Sequence, residues 1–159
     1  MGESAFHALC AHDYMLRGNI PAKVDEKGRL KIPAAFLEKL KEHGERFYVT
    51  SEEGDHARIY PMKFWGEIEE KLAKVSSYNK AKQKFLTRTN YYGQVVEIDG
   101  QGRLLIPAVL REAAQMKGDV EVMGQLTYLE VWNHTRFMDN MAKNQMTEEE
   151  RKVLADLGI

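Results

Sequence analysis

One cysteine, Cys10, among 159 residues excludes an internal disulfide framework and fits a reducing cytosol. No apolar run is long enough to cross a bilayer as a helix. The N-terminus also lacks the basic region and apolar core of a secretory signal, so the expected location is the cytoplasm, with no membrane partner. Neither charge sign is in excess: the formal net charge is −1, which argues neither for nor against a polyanionic partner. A nucleophile constellation is missing too. No serine occupies a Gly-x-Ser-x-Gly elbow, and no glycine-rich loop precedes Lys-Ser or Lys-Thr. His43, His56 and His134 stand apart and read as surface or hydrogen-bonded structural residues. His7, Cys10 and His12 supply three potential ligands in a stretch without periodicity, too little to define a metal centre, and no cofactor is expected. Residues 1–14 read instead as a flexible leader, or as sequence upstream of an alternative start at Met15.

What the chain does have is an internal repeat. Asp25-Glu26-Lys27-Gly28-Arg29-Leu30-Lys31-Ile32-Pro33 returns as Asp99-Gly100-Gln101-Gly102-Arg103-Leu104-Leu105-Ile106-Pro107. Asp at the head of a turn accepts from backbone N–H groups just ahead, and Gly28 or Gly102 can take the left-handed conformation that a short hairpin loop requires. Each copy therefore predicts the tip of a β-hairpin. Its arms are Ile20–Val24 and Arg29–Ile32 in the first repeat, and Val95–Ile98 and Arg103–Ile106 in the second. Pro33 and Pro107 suit the first position of a helix.

The helices that follow carry Phe36, Leu37 and Leu40, or Leu110, Ala113 and Ala114, at helical spacing, and should stop near Gly44 and Gly118. Strands are then expected at 47–50 and 120–123, and again at 58–61 and 130–133. Phe64, Trp65, Ile68, Leu72 and Val75 predict an amphipathic helix over 62–75 that packs on the sheet, and a second helix should cover 79–87. Thr147 with Glu150 is a capping-box signal for a last helix reaching Leu157, whose Val153, Leu154 and Leu157 suit docking on this chain or on a neighbour. Each repeat alone is too small for more than a marginal core, so the two should share one interior or pair with other chains.

Charge is unevenly spread along the chain. Basic residues outnumber acidic ones from Arg17 to Lys31, and no acid occurs from Lys71 to Gln94, whereas acids gather at 52–55, 67–70 and 148–150. A basic face for a phosphate backbone is one reading; a solvated lysine-rich helix is the other. The paired Asp25 and Asp99 invite comparison with an acid/base carboxylate dyad, but their neighbours are Glu26 and Lys27, or Gly100 and Gln101, and Arg29 and Arg103 would keep them ionised. No enzymatic activity is expected. Arg29 and Arg103 leave rigid turns at matching places, and guanidinium groups held so suit bidentate contact with guanine edges or phosphate. A plain Asp–Arg pair within the hairpin is the structural alternative. The two roles are compatible, because a carboxylate can orient the arginine that reads.

Met15-Leu16-Arg17-Gly18, the two Asp-x-x-x-Arg-Leu-x-Ile-Pro segments, Leu110-Arg111-Glu112-x-Ala114 and Leu129-Glu130-Val131-Trp132 together resemble the MraZ family over about residues 15–140. The resemblance implies a mainly β fold with helices: two swapped-hairpin repeats of the SpoVT/AbrB type, a double-split β-barrel, forming one pseudo-twofold unit with connecting helices. The corresponding divisions are the leader at 1–14, repeats at 19–66 and 95–138, a helical connector at 67–94 and a helical tail at 139–159. It further implies a nucleoid-associated regulator that represses its own cell-division and cell-wall operon. Such a protein binds double-stranded DNA at upstream direct repeats as a ring-shaped homo-oligomer. Lys27, Arg29 and Arg103 are then the expected DNA contacts, with Asp25, Gly28, Asp99 and Gly102 supporting the turns. Leu37 stands where the second repeat has Arg111, a departure that leaves the first half without the basic group common there in the family. The alternative reading is an oligomeric antitoxin-like module that binds another protein through its helices.

Overall fold

Turn chemistry and proline placement dictate where the strands end, and packing dictates which strands meet. The computed structural model describes residues 15–159; the leader, with His7, Cys10 and His12, lies outside the described residues. In chain order the elements are β1 (Asn19–Val24), β2 (Arg29–Lys31), α1 (Ala34–Lys41), β3 (Arg46–Thr50), β4 (Ala57–Pro61) and α2 (Met62–Ala73). After α3 (Lys80–Tyr91) the same order recurs as β5 (Gln94–Glu97), β6 (Arg103–Leu105), α4 (Ala108–Ala114), β7 (Gly118–Gln125), β8 (Tyr128–Asn133) and α5 (His134–Lys143), and α6 (Glu148–Asp156) follows.

The eight strands form one antiparallel, nearly closed sheet in the order β5-β3-β4-β8-β7-β1-β2-β6. Here the hairpin expectation needs correction beyond the tips. β1 pairs with β2 only at Val24↔Leu30, and along its length it lies against β7, from Asn19↔Met123 to Val24↔Gly118. In the same way β5 lies against β3, from Arg46↔Glu97 to Val49↔Gln94. The reason is that β2 and β6 are cut to three residues by the prolines that follow them. Pro21 in β1 also lacks the N–H that a second ladder would use, and it sits where β1 has a neighbour on one side only. Each repeat thus lends its first strand to the other half, the swapped arrangement that the fold class implies. Two seams join the halves: β2 with β6, and β4 with β8 from Ala57↔Val131 to Ile59↔Leu129.

The interior draws on both repeats. Leu30, Ile32, Phe47, Val49 and Ile59 pack with Leu104, Ile106, Leu110, Val122 and Leu129, all at 1% exposure or less. Leu16 joins them, since Leu16 and Leu126 exchange backbone bonds of 2.8 and 2.9 Å and Gly124 leaves room for the incoming chain. On the other side of the sheet, Tyr48 stacks on Trp65 of α2 with ring centroids 4.7 Å apart, Tyr60 lies tilted against the same ring at 5.0 Å, and Phe85 of α3 lies beside them. Alternation along β3 explains both cores, with Phe47 and Val49 facing inward and Tyr48 facing the helices.

Several boundaries differ from expectation for local reasons. Pro33 and Pro107 are the N-cap residues (ψ 136° and 140°), one position before the helix proper, as is Pro61. α4 ends at Gln115, itself left-handed at φ 55°, before Gly118 is reached. α3 runs on to Tyr91, since nothing breaks it before Gly93, and Asn79 caps its start by accepting from the Lys82 N–H at 3.0 Å. Val75 falls beyond α2 and is exposed. The capping box at Thr147 and Glu150 is formed, with bonds of 3.0 and 3.1 Å, but Val153 and Leu157 of the last helical segment remain exposed. His56 and His134 are hydrogen-bonded, since His56 lies 2.7 Å from Asp55 and stacks on Trp132, and His134 lies 2.8 Å from the buried Glu121; His43 sits edge-on to the Phe64 ring at 5.2 Å.

Candidate nucleic-acid interface

The two repeated motifs meet in one short ribbon. In each, the aspartate closes its turn with both carboxylate oxygens. Asp25 Oδ1 accepts from the backbone N–H of Lys27 and of Arg29, each at 2.9 Å, and Oδ2 accepts from Arg29 Nε at 3.1 Å. Asp99 repeats the pattern with Gln101, Arg103 and Arg103 Nε at 2.8, 3.0 and 3.2 Å. Gly28 and Gly102 sit at φ 82° and 75°, and their N–H groups donate back to Asp25 and Asp99. The backbone N–H of Arg29 chiefly, with its side chain and the Lys27 N–H, holds the Asp25 carboxyl below its ordinary range; the backbone N–H groups of Arg103 and Gln101 and then the Arg103 guanidinium do the same for Asp99. Ion pairs this exposed, with side chains at 32% and 38% in one and 26% and 41% in the other, contribute little by charge alone. The carboxylates therefore act mainly on the turn backbone, and orienting the arginine comes with it.

β2 and β6 pair antiparallel as Arg29↔Leu105, Leu30↔Leu104 and Lys31↔Arg103. Beyond the strands the ribbon is fastened at both ends, because Ile32 donates to the Gly102 carbonyl at 3.0 Å and Ile106 to that of Gly28 at 2.9 Å. Each half's strand thus holds the other half's turn. Alternation sends Leu30 and Leu104 inward, so Arg29, Lys31, Arg103 and Leu105 share the outer face, with the exposed Lys27 and Gln101 at opposite tips. Both arginines therefore point to one side of the sheet. Lys31 and Leu105 were not singled out from the sequence; Leu30 between Arg29 and Lys31 carries the signal in the first motif, whereas in the second Leu105 follows the buried Leu104 and hides it.

The two turns are supported differently. The Arg111 side chain of α4 lies directly under Gly28, and its Nε is buried without a hydrogen-bond partner. Under Gly102 the matching place is taken by Leu37 of α1, whose Cδ2 would lie 3.0 Å from an added Cβ. The Leu37 departure seen in the sequence thus alters the turn of the second repeat, because the halves are swapped. Gly102→Ala is expected to cost about 1–2 kcal/mol for its left-handed backbone. Gly28→Ala should cost roughly 1 kcal/mol more, for overlap with Arg111. Urea midpoints measured with and without Arg111→Ala check this, the difference shrinking in the second background.

The basic run of 71–94 does not keep its separation from acid in space. Arg88 donates from Nε to the Glu52 carbonyl at 2.6 Å and lies 3.6 Å from Glu53, so acids distant in sequence return to this helix. Among the described residues no group of three histidine, cysteine, aspartate or glutamate side chains could hold a metal ion, and no helix is long and apolar enough to cross a membrane.

A family model described as "MraZ protein, putative antitoxin-like" matches residues 15–88 and 93–156. A protein of Acidobacterium capsulatum named transcriptional regulator MraZ is 53% identical over 146 residues, covering 91% of this chain and 100% of its own length. Proteins of the same name from Koribacter versatilis and Caldicellulosiruptor bescii are 50% and 35% identical over 147 residues, with the same coverage.

Proposed function

Because the chain belongs to the MraZ family, whose relatives are named transcriptional regulators, we propose that it regulates transcription by binding double-stranded DNA through the outer face of the β2–β6 ribbon. It does so without catalysing a reaction. One observation carries this reading: both Asp-turn arginines stand on one face of a ribbon whose two turns are hydrogen-bonded to each other's strands. A two-stranded ribbon of this kind fits the major groove. Arg29 and Arg103 engage base edges or phosphates, and Lys27 supplies charge to the backbone. Asp25, Gly28, Asp99 and Gly102 hold the turns that present them.

A single ribbon offers few contacts, so we assign the affinity to several subunits acting together. Copies related by rotation in a closed ring present the face in one repeated orientation, which matches direct repeats about one helical turn apart better than a palindrome. On this reading the protein represses its own cell-division and cell-wall operon from upstream repeats. Nuclease protection of the DNA upstream of the gene, with the mass of the assembly measured alongside, tests it. Protection at regularly spaced repeats, lost when the spacing is shifted by about half a turn, is the expected result. Equal protection at every spacing would overturn the multi-subunit reading.

A second reading, an antitoxin-like module, has its own observation. Met138 and Met141 on α5, Val153 on α6 and Leu157 just after it leave 55–70% of their surface exposed. Purification with a bound protein partner, and no salt-sensitive affinity for the upstream DNA, would favour it.

A further inference from the structure

The ribbon is symmetric in its backbone and asymmetric in the chemistry of its outer face. The pseudo-twofold exchanges position 27 with 101 and position 31 with 105, and in both places a lysine of the first repeat meets a neutral residue of the second. Gln101 stands at the tip opposite Lys27, exposed, with its backbone N–H held by Asp99 at 2.8 Å. Leu105 is 44% exposed and pairs directly across from Arg29, surrounded on this face by cations and open to solvent.

We propose that Gln101 and Leu105 are base-reading residues that break the two-fold of the face, so that each subunit engages its DNA unit in one orientation only. This rests on the DNA-binding reading. The chemistry follows from the groups. A glutamine amide matches the N6 and N7 atoms of adenine with its donor and acceptor, and a leucine side chain matches the 5-methyl group of thymine. Lysines in those places would add attraction to phosphate, which is the same for every sequence, and at a base edge would favour guanine instead of adenine or thymine. One tip of the ribbon is thus anchored by Lys27 on the backbone and the other reads through Gln101. Leu105 adds an apolar contact beside Arg29. Gln101 is exposed and Leu105 lies outside the buried core, so both can be exchanged with the sheet intact.

The probe is a duplex enriched from a random pool by the wild-type protein, compared with the same duplex carrying one repeat unit inverted and with an unrelated duplex. Wild-type protein is expected to bind the inverted form at least about tenfold more weakly, and Gln101→Ala or Leu105→Ala should each lower discrimination against the unrelated duplex by about tenfold, one good contact's worth. The double variant Gln101→Lys with Leu105→Lys restores the two-fold of the face. It should bind the original and inverted duplexes with similar affinity, still favouring both over the unrelated one through Arg29 and Arg103, with a slope of log K against log salt steeper by about 1.8 for two added phosphate contacts. Unchanged discrimination in the alanine variants, or orientation preference retained by the double-lysine variant, overturns the inference while leaving DNA binding standing. A change in assembly mass for Leu105→Ala with discrimination intact makes Leu105 an assembly residue and overturns it as well. If the wild-type protein enriches no sequence, the DNA-binding reading fails and the inference with it.

Discussion

Alanine at both Arg29 and Arg103 should lower the affinity for a specific duplex by about 2–6 kcal/mol, at roughly 1–3 kcal/mol for each contact, which is a loss of about thirtyfold at the least. The two sites are close on one ribbon, so the sum is a guide and the double variant can depart from the single ones. Fold should survive. Each guanidinium bonds to its aspartate through Nε on the exposed side of the sheet, while the turn itself is closed by Asp25 and Asp99 on backbone N–H groups that alanine retains. Anisotropy titrations with specific and unrelated duplexes, run beside thermal melts and mass measurement, separate the outcomes. Weakened binding with an unchanged melt and mass is the expected result. An unfolded or dissociated variant would make the Asp–Arg pair a structural element and remove its reading role.

One residue away the expectation reverses. Leu104→Ala should destabilise the protein by about 2–5 kcal/mol, the range for truncating a fully buried leucine. Leu104 is 1% exposed and faces Leu30 across the seam between the halves, so the cavity opens under the ribbon where two strands of only three residues have little freedom to close over it. At roughly 2–4 °C for each kcal/mol in a chain of this size, the melting temperature should fall by some 4–20 °C. DNA affinity, corrected for the folded fraction and measured well below that temperature, should change far less than in the arginine variants. A Leu104→Ala protein that melts like wild type would mean that the leucine is not packed as described. Together with the arginine pair, this divides a three-residue strand into one face that binds and one that holds.

Much of this arrangement could be read from local chemistry, because local chemistry is what makes it. Asp25 and Gly28, or Asp99 and Gly102, specify a turn within a few residues; a proline after Ile32 or Ile106 ends a strand; Thr147 and Glu150 cap a helix with each other. What could not be read is which strand lies beside which. β1 leaves its own hairpin after Val24↔Leu30 and joins β7, a choice made by packing of Ile20, Ala22 and Val24 against the interior of the whole molecule and invisible in any short window. The same holds for charge. The acid-free run at 71–94 suggested a segregated basic surface, but loop 51–56 brings Glu52 and Glu53 to Arg88. Among the site residues, the Asp-x-x-x-Arg spacing was plain, whereas the outward direction of Lys31 and Leu105 depends on the register of β2 against β6. Leu37 was noted as a departure from its family, yet the turn it supports belongs to the other repeat, and only the swapped connection reveals that.

The exchange of first strands also sets a timetable. β1 is the earliest strand of the described chain to leave the ribosome, and β7, which covers it from Asn19 to Val24, is among the last. During synthesis the nascent first half has nowhere to lay Ile20 and Val24, and pairing between segments so distant along the chain is slow to form. Closure of the sheet therefore waits for almost the complete polypeptide, although β2 and β6, which join the two Asp–Arg turns, have emerged earlier. A gene shortened before β7 would not yield a protein of half strength, because β1 would have no partner and the sheet that carries the ribbon could not close.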